Sequence, residues 1–305
     1  MKTQSLSYPH EIPAMIDLAL MSSQSTFHIF DLPYRLSSWA LDSSMNAQLW
    51  YEGDQLIAWA ILQTPFWSLD YVIHPQYEDI CLPNILTWAD HKAQILLNSS
   101  YGRPVWYTQV FSDQINRIAH LESAGYRSQA NVGEDSWSKV LMHRSNQPLE
   151  KKHLPKAGFT VRGLSGENEV TAYVQLHQTV FGTTNMQAAW RSRTLKQSNY
   201  TPDLDIVVQA PDGTLAAFCI GWIMQDKEGN LHGQIEPLGC HPKFRHFALG
   251  RVALCEVVDR MIHRGVHSIW VETDNYRDTA FRLYQSTGFA VNKQVLVFSK
   301  EVVTL

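Results

Sequence analysis

The feature that most constrains the fold of this 305-residue chain is an internal repeat. Four pairs of landmarks recur in the same order at a nearly constant offset: a turn at Asp54 and at Asp212, His74-Pro75 and His241-Pro242 (167 residues apart), Trp106 and Trp270 (164 apart), and Gly125 and Gly288 (163 apart). A repeat with a fixed period indicates one structural unit present more than once. The chain is therefore predicted to contain two copies of a single unit.

A polar segment at residues 144–158 separates the two copies. It contains two prolines and several charged residues, and it lacks the apolar periodicity of a helix or strand. Domains usually contain ~100–200 residues, so the length fits two of them. We predict a first domain at 1–145, a linker at 146–158 and a second domain at 159–305.

Each copy alternates strand and helix patterns, which are clearest in the second copy. Residues 249–263 carry apolar side chains at helical spacing, and Gly265 follows as a stop signal. The other predicted elements of the second copy are strands at 204–209, 215–222, 231–240, 268–272 and 289–300 and a short helix at 278–286. These patterns predict an α/β fold of two tandem domains, each with a mixed central sheet flanked by helices.

Composition and charge exclude several classes of protein. Apolar residues make up 45% of the chain, which is enough for packed cores and excludes a disordered protein. The net charge of −4 argues against a general binder of nucleic acids or anionic membranes. The longest apolar run, residues 56–62, is far too short to cross a bilayer, which takes ~20 residues.

The cysteines and the start of the sequence bear on compartment and metal binding. None of the four cysteines forms a C-x-x-C pair, and no histidines cluster at the spacing of metal ligands. Glu11 and Asp17 interrupt any apolar stretch near the start, so no export signal is expected. We predict a cytoplasmic protein without a metal site.

The segment from Glu236 to Arg251 is the most informative stretch for function. A strand ends there, a turn with basic and small residues follows, and a helix begins. The first N–H groups of a helix are unpaired and carry a partial positive charge, so this arrangement can hold a diphosphate. The same segment could also be an ordinary strand–turn–helix connection whose basic side chains face solvent.

Two sequence blocks in the second half resemble those of the GNAT superfamily of acyl-CoA N-acyltransferases. Residues 245–250, RHFALG, resemble the signature R/Q-x-x-G-x-G/A, and residues 238–242, LGCHP, resemble the strand end V-G-V-H-P before it. Downstream, Asn275 and residues 280–289 resemble the block N…A-x-x-L-Y-x-x-x-G-F. The resemblance covers about 160–300 and reaches the first half through the repeat, as in tandem-domain members of the mycothiol synthase type.

Two positions depart from the family signature. Ala248 replaces the first motif glycine, and His246 replaces the glycine that commonly follows the arginine. An alanine is compatible with the loop if its φ angle is negative. We therefore expect a phosphate-binding loop that is weakened but still formed.

The resemblance implies that acetyl-CoA is the co-substrate and lies between two parallel strands that splay apart at a bulge. The strand end at Leu238, Gly239 and Cys240 would supply backbone groups to the pantetheine, while Asn275 and Arg282 would line the far side of the coenzyme. The diphosphate would be held by a loop that consists of Arg245, His246, Phe247, Ala248, Leu249, Gly250 and Arg251.

The same resemblance places Tyr284 at the general-acid position of the family, facing the coenzyme sulfur. An amine with a pKa of ~10 must lose a proton before it attacks, so a general base is needed. Glu236 is the candidate base because it shares one strand face with Leu238. The alternatives are that Tyr284 is a core aromatic residue and that Glu236 caps the strand end or forms a salt bridge.

The first copy lacks residues that correspond to these coenzyme-binding and catalytic residues. Glu78 and Asp79 lie where phosphates would bind, and like charges repel. Aligning Gly125 with Gly288 places Leu121 at the position of Tyr284. The first domain is therefore expected to be a degenerate copy without coenzyme, with a structural role or a role as one wall of the substrate cleft.

The acceptor site and the overall function complete the predictions. Trp190, Arg191 and Arg193 could bind a carboxylate or phosphate of the acceptor, or they could form a solvated helix face with a packed tryptophan. The expected function is direct acetyl transfer from acetyl-CoA to a primary amine of a small molecule in a ternary complex. The alternatives are a protein or peptide N-acetyltransferase and a CoA-binding sensor or scaffold without turnover. We expect no nucleic-acid or membrane partner and a monomer or homodimer.

Overall fold

The computed structural model of the chain describes residues 1–22, 31–130, 138–150, 153–274 and 278–303. The helices are α1 (Ile12–Met21), α2 (Leu32–Arg35), α3 (Glu78–Leu96), α4 (Ile115–Ser123), α5 (Val170–Phe181), α6 (Ala188–Leu195), α7 (Leu249–His263) and α8 (Asp278–Gln285). The strands are β1 (Lys2–Ser5), β2 (Ala47–Glu52), β3 (Gln55–Gln63), β4 (Ser68–Ile73), β5 (Val105–Phe111), β6 (Arg127–Ser128), β7 (Ser138–Ser145), β8 (Thr160–Gly163), β9 (Asp205–Gln209), β10 (Leu215–Gln225), β11 (Leu231–Cys240), β12 (Val266–Asp274) and β13 (Ala290–Glu301).

The described strands form one continuous sheet of 13 strands, in the order β1-β2-β3-β4-β5-β13-β7-β12-β11-β10-β9-β8, with the short β6 paired to β13. The pairs β4–β5 and β11–β12 are parallel, and the remaining pairs are antiparallel. The predicted α/β fold with a mixed sheet flanked by helices is confirmed. The two parallel pairs occupy equivalent places in the two halves of the sheet.

The last strands of the two halves are exchanged. β7 follows the first copy along the chain, yet it pairs with β12 of the second copy, with Lys139 opposite Asp274. β13 ends the second copy, yet it pairs with β5 of the first, with Val297 opposite Gln109. Each half of the sheet is therefore completed by a strand from the other half. The described parts of the predicted linker, 146–150 and 153–158, contain no helix or strand.

The repeat is reproduced in individual hydrogen bonds. The N–H of His74 donates to Ile57 O at 2.7 Å, and the N–H of His241 donates to Ala216 O at 2.9 Å. Each histidine Nδ1 also accepts a bond from the backbone N–H two residues on, at 3.3 and 3.1 Å. Because two unrelated turns would not share these bonds, they support the duplication inferred from the sequence.

The turn after the last helix of each copy is duplicated as well. Gly125 and Gly288 both adopt φ +86°, a left-handed conformation that favours glycine. The residue after each glycine donates its N–H back into the helix, to Leu121 O at 2.9 Å and to Tyr284 O at 3.1 Å. Leu121 therefore occupies the place of Tyr284, as the sequence alignment predicts.

Helix α7 packs its apolar stripe against the second half of the sheet. It spans the predicted residues, and Leu254, Val257, Val258 and Met261 on its inner face are fully buried. Each such side chain contributes about 1.5–3 kcal/mol on burial. The same helix carries the candidate phosphate-binding turn at its start, so the core also fixes the position of that turn.

The first half covers the outer face of α5 and α6. Trp39 Nε1 donates to Asn185 O at 3.0 Å, and Asn185 Nδ2 donates to Pro65 O at 2.6 Å. Tyr34 packs 5.2 Å from the ring of Trp190. These contacts close one side of the second half. No helix among the described residues combines the length and hydropathy needed to span a membrane.

Candidate active site

Strands β11 and β12 begin as a parallel pair and then separate. Their pairing runs from Leu231 opposite Val266 to Gln234 opposite Trp270. Beyond that point β11 continues to Cys240, still paired with β10, and β12 continues to Asp274, still paired with β7. The two strand ends therefore leave an open V in the middle of the sheet.

A β-bulge on β11 lies where the V opens. On β10, Cys219 pairs with Leu238 and Gly221 pairs with Ile235, so three steps on β11 match two on β10. The extra residue falls at Glu236-Pro237. A bulge bends its strand and reorients side chains, and this one accounts for the divergence of β11 from β12.

The edge of β11 that borders the V includes the predicted pantetheine-binding residues. The His241 N–H is bonded to Ala216 on β10. Backbone groups alternate sides along a strand, so those of Gly239 point towards β10 like those of His241. The backbone groups of Leu238 and Cys240 therefore point into the V.

Gly239 allows close packing behind this edge. A Cβ atom at this position would lie 2.5 Å from Phe218 Cζ and 2.8 Å from Val180 Cγ1. Both distances are too short for a real contact, so a larger residue would displace β11 from its neighbours. Gly239 therefore has a packing role. It lies in the predicted coenzyme-binding edge only because the edge is formed by its two neighbours, Leu238 and Cys240.

The turn after β11 presents the start of α7. Pro242–Phe247 form a 3₁₀ turn, and α7 begins at Leu249, where the N-cap residue Ala248 has no side chain that can cap the helix and the first turn contains no acidic residue. Arg245 and His246 are exposed beside this helix start. Uncapped N–H groups at a helix start, with basic side chains next to them, form a site suited to an anion.

Ala248 adopts a left-handed conformation, with φ +56°. The expectation of a negative φ is therefore wrong. Ala248 lies between the 3₁₀ turn and α7, as the C-cap of the turn and the N-cap of the helix. For an alanine this conformation costs about 1 kcal/mol relative to glycine. The loop is thus formed as predicted in sequence, but its alanine is strained.

Cys240 connects the V to the start of α7. Burial raises the pKa of the Cys240 thiol, while a hydrogen bond from the Gly250 N–H and the charge of Arg245 oppose that rise. Because the net effect keeps the thiol protonated, Cys240 is a small packing group and not a nucleophile.

Tyr284 and Glu236, the two predicted catalytic residues, share one environment. Tyr284 is 6% exposed on the inner face of α8. Burial raises the pKa of its hydroxyl well above the usual value, and the charges of Cys219 and Glu236 raise it further. Glu236 is half-buried in the bulge, where its carbonyl oxygen accepts a 2.7 Å bond from Trp222 Nε1. The carboxylate of Glu236 is therefore close enough to the phenol of Tyr284 to influence its protonation.

The other predicted coenzyme contacts are placed as follows. Arg282 is exposed on α8, and Arg251 is half-buried in the first turn of α7. Phe247 packs its ring 5.2 Å from that of Phe159, which anchors the turn to the start of the second half. Asn275 lies outside the described residues.

The predicted acceptor residues Trp190 and Arg191 are core residues. They are 1% and 0% exposed. Trp190 Nε1 donates to Tyr34 O at 2.9 Å, and Arg191 forms an ion pair with Asp205 and lies 3.9 Å over the ring of Tyr173. The prediction that they bind the acceptor is wrong, because their polar groups point inwards.

Arg193 joins the two halves and is not an acceptor ligand either. Its Nε donates to Ser37 O at 2.8 Å, and its Nη1 pairs with Asp42. Both partners belong to the first half, so the guanidinium is occupied by the interface. The sequence could not identify these pairs because their partners lie about 150 residues away in the chain.

A charged cluster that the sequence analysis did not predict lies on the sheet face opposite α7. Lys139 Nζ lies 2.5 Å from Glu272 Oε1 and 3.9 Å from Asp274 Oδ1. Lys139 reaches this place only because β7 is exchanged into the second half. No group of three or more His, Cys, Asp or Glu side chains suited to a metal ion occurs in the part of the chain that the structure describes.

A family model matches the second half of the chain. Residues 171–289 match the acetyltransferase (GNAT) family. The matched range contains the V, the bulge, the turn before α7 and the helix that carries Tyr284. It stops short of β13 and does not extend into the first half.

Curated relatives include two mycothiol acetyltransferases. The protein of Thermomonospora curvata is 25% identical over 158 residues, which is 50% of this chain and about half, 52%, of that protein. The protein of Thermobispora bispora is 25% identical over 252 residues, 79% of each chain. The ribosomal protein bS18 alanine N-acetyltransferase of Salmonella typhimurium is 28% identical over 121 residues, 36% of this chain and 78% of that protein.

Solved structures match the fold over the whole chain. A GCN5-related N-acetyltransferase from Sphaerobacter thermophilus matches with a TM-score of 0.65 at 20% identity, covering 100% of this chain and 97% of that one. A tandem GNAT protein from the clavulanic acid biosynthesis pathway matches with a TM-score of 0.64 at 10% identity, covering 100% and 99%. At these identities the likeness concerns the fold, and it extends to the tandem arrangement.

Proposed function

We propose that the second half of this chain, which matches the acetyltransferase (GNAT) family over residues 171–289, transfers an acetyl group from acetyl-CoA to a primary amine of a small molecule. The observation that carries this proposal is the open V between β11 and β12, with an uncapped helix start at one end and Tyr284 and Glu236 beside it. Acetyl-CoA supplies the activated thioester for the transfer.

Two features of the chain suit the coenzyme. The strand edge at Leu238 and Cys240 can pair with an extended pantetheine arm in the manner of an added strand. The first N–H groups of α7, with Arg245 and His246 beside them, can bind the diphosphate. Both features lie within the range matched by the family model, and the hydrogen bonds to β10 and the packing of α7 hold them in place.

The proposed chemistry needs one base and one acid. Glu236 accepts a proton from the incoming ammonium, directly or through a water molecule, and the neutral amine attacks the thioester carbonyl. A C–N bond forms, the C–S bond breaks, and the electron pair leaves with sulfur. Tyr284 then donates its proton to the thiolate, and the proton lost by the new amide nitrogen passes to the Tyr284 oxygen and restores the phenol. The raised pKa of Tyr284 keeps its phenol protonated until the thiolate forms, and it also makes the phenol a weaker acid.

The covered face of the second half favours a small acceptor. Tyr34, Trp39 and Pro65 of the first half contact α5, α6 and the segment between them. In a GNAT domain these elements border the acceptor side, so an extended chain would have to displace the first half. This observation supports the role of the first half as one wall of the cleft. The small-molecule assignment of the two mycothiol acetyltransferases is in line with it.

A protein or peptide acceptor is the second candidate, supported by the similarity to the bS18 alanine N-acetyltransferase over 121 residues. A CoA-binding sensor without turnover is the third, supported by the strained Ala248. Against the sensor stands the retained Tyr284. The four cysteine thiols are all free, which supports a reducing, cytoplasmic location.

The test of the proposal is acetyl-CoA turnover with an amine panel. Purified protein is incubated with acetyl-CoA and either small primary amines or N-terminal peptides, and release of free thiol is followed together with acetylated product. We expect acetylation of at least one small amine and none of the peptides. Acetylated peptides would favour the second candidate. Binding of CoA in calorimetry without any turnover would favour the sensor.

A further inference from the structure

The acceptor side of the V is bordered by two carboxylates of β12. Glu272 and Asp274 alternate with Val271 along the strand, and Val271 packs in the core beneath α7. Alternate residues of a strand point to opposite faces, so both carboxylates point to the face opposite α7. They belong to the part of β12 that β11 has left.

Glu272 faces Glu236 across the open V. The last paired residues of the two strands are Gln234 and Trp270. Glu272 lies two residues beyond Trp270 on the same face, and the charges of both Glu272 and Glu236, which lies in the bulge, act on Lys139. An amine that enters the V to reach the coenzyme therefore passes between these two carboxylates.

Lys139 holds Glu272 from the other side. It is directly opposite Asp274 in the β7–β12 pairing, and its Nζ lies 2.5 Å from Glu272 Oε1. The amide of Gln109, on β5, is within 3.2 Å of Lys139 Nζ and 3.3 Å of Glu272 Oε2. Both Lys139 and Gln109 belong to the first half of the chain.

We propose that Lys139 is a positioning residue of the second-half active site, supplied by the first half through the exchanged strand β7. Its ammonium holds Glu272 and offsets its negative charge, so that the carboxylate of Glu236 can act as the base beside it. This inference rests on the proposed acetyltransferase function. It gives the first half a part in the chemistry in addition to its part in the fold.

The charges around Glu236 agree with this role. Burial acts to lower the pKa of Lys139, but the charges of Glu272, Asp274 and Glu236 outweigh it and raise that pKa. Lys139 is therefore an ammonium at neutral pH. The other titratable groups that face Glu236, one from each neighbouring element, are Tyr284 on α8, Cys219 on β10, Tyr34 on α2 and Tyr173 on α5. These four are neutral. Besides Lys139, the guanidinium of Arg35 on α2 also acts on Glu272, although it is paired with Asp70 at 2.8 Å.

Replacing Lys139 with methionine tests the inference through the pH profile of kcat/KM. Without the ammonium, the negative charge of Glu272 acts more strongly on Glu236, so ionisation of Glu236 becomes less favourable. The acid limb of the profile is then expected to move to higher pH by about one unit, so that the rate on that limb falls about tenfold. Lys139→Arg keeps the charge and is expected to restore the wild-type limb.

A second substitution separates charge from packing. In the Lys139→Met background, Glu272→Gln removes the negative charge that Lys139 neutralises, and the acid limb is expected to return towards its wild-type position. Glu272→Gln alone keeps Lys139 and is expected to move the limb to lower pH. If thermal unfolding shows that Lys139→Met does not fold, Glu272→Gln alone still tests the inference.

The control is Lys293→Met, which removes an ammonium from the first-half side of the sheet, where Lys293 lies 3.8 Å from Asp113. Its profile should match that of the wild type. An active Lys139→Met protein with an unmoved acid limb, or an unmoved limb in Glu272→Gln, overturns the inference and leaves the acetyltransferase proposal intact. Absence of turnover in the wild type with every amine would contradict the acetyltransferase proposal itself.

Discussion

The two copies of the repeat share a backbone but differ in what fills their clefts. In the first half β4 and β5 also diverge, since their parallel pairing is limited to Ser68 opposite Tyr107. The turn at His74 has the same hydrogen bonds as the turn at His241. Both halves therefore have the strand divergence and the turn geometry of a coenzyme cleft.

Acidic side chains line the first-half cleft at the turn that corresponds to the predicted diphosphate site. The cleft has a volume of about 510 Å³ and is lined by residues that include Glu78, Asp79, Asp113 and Arg117. Arg117 Nε lies 2.6 Å from Glu78 Oε1, which joins the two walls of the cleft. Glu78 and Asp79 also lie in the first turn of α3, where they satisfy the partial positive charge that an anion would use.

The difference shows which parts of the unit serve the fold and which serve the chemistry. The strand divergence and the turn are backbone features, and both halves keep them because β7 and β13 complete the sheet of the opposite half. The groups suited to coenzyme binding and acid catalysis are a few side chains, and they remain only in the second half. Four substitutions test this division, and they follow in order of decreasing expected effect.

Tyr284→Phe is expected to reduce kcat by about 10²–10³-fold, because proton donation to the departing thiolate contributes in this range. CoA affinity should change little, since the ring and its contact with Phe289 remain. The measurement is steady-state thiol release with the best amine of the panel. The change makes the second half resemble the first, where Leu121 occupies this place.

The matched control for this substitution is Tyr126→Phe. Tyr126 is also a buried tyrosine, 4% exposed, and it follows Gly125 as Phe289 follows Gly288. Removing its hydroxyl should leave kcat within about twofold, since it lies in the half without acid chemistry. Equal losses in both variants would mean that the effect of Tyr284→Phe comes from packing.

The double variant Arg245→Glu with His246→Asp introduces the acids of the first half at the equivalent turn. Negative charges beside the start of α7 repel a diphosphate, so CoA is expected to bind about 10–100-fold more weakly, and the loss should shrink as salt is added. Calorimetry with CoA at two salt concentrations measures the effect.

The control carries the same changes at the other end of α7, His263→Asp with Arg264→Glu. Both residues are exposed, and Arg264 lies 2.7 Å from Asp203 on the surface. Here CoA affinity should stay as in the wild type. A loss of the same size at both ends would place the diphosphate away from the turn at 242–249.

Local signals made much of this architecture predictable from the sequence. The repeat, helix α7 and the place of Leu121 follow from spacing and periodicity, which are properties of neighbouring residues. The strand exchange did not follow, because the pairing of β13 with β5 joins residues almost 190 positions apart and has no local signal.

The candidate site was predictable only in part, for the same reason. The strand end and turn at 236–251 form one contiguous segment, so signals from neighbouring residues were enough to predict them. Trp190, Arg191 and Arg193 were predicted as acceptor ligands because an arginine near a tryptophan suits an anion. The partners of Trp190 and Arg193 lie about 150 residues away, and the pairing of Arg191 with Asp205, 14 residues on, depends on how α6 packs against β9. Lys139 was missed because nothing in β7 indicates that the strand pairs with β12.

The variant His177→Phe tests the contact between the two halves through the pH dependence of the free energy of unfolding. His177 Nε2 lies 3.3 Å from Tyr34 OH, and burial, aided by the charge of Arg191, lowers the pKa of His177 to about 3. The unfolded chain protonates this histidine near pH 6.5 and the folded chain does not, so folding stability falls as pH drops below 6.5.

The loss in free energy of unfolding should be about 1.4 kcal/mol per pH unit, or about 2 kcal/mol at pH 5. In His177→Phe this part of the pH dependence should disappear, as measured by urea unfolding between pH 8 and pH 5. His263→Gln, at an exposed histidine, should keep the wild-type slope. A wild-type slope in His177→Phe would mean that the buried histidine is not neutral in the folded protein.

Ala248→Gly has the smallest expected effect and concerns the one backbone feature in which the second-half loop is strained. At φ +56° an alanine is disfavoured and a glycine is not, so the variant should gain about 0.5–1 kcal/mol in free energy of unfolding, although glycine also makes the unfolded chain more flexible. The control, Ala189→Gly in the exposed first turn of α6, has no such strain to relieve and should lose stability.

Because the gain in stability arises at the N-cap that orients the first N–H groups of α7, CoA affinity of Ala248→Gly should be kept or slightly improved. A loss of stability in Ala248→Gly would mean that the loop does not hold this residue in the left-handed conformation, and the description of the diphosphate site would then need a different turn.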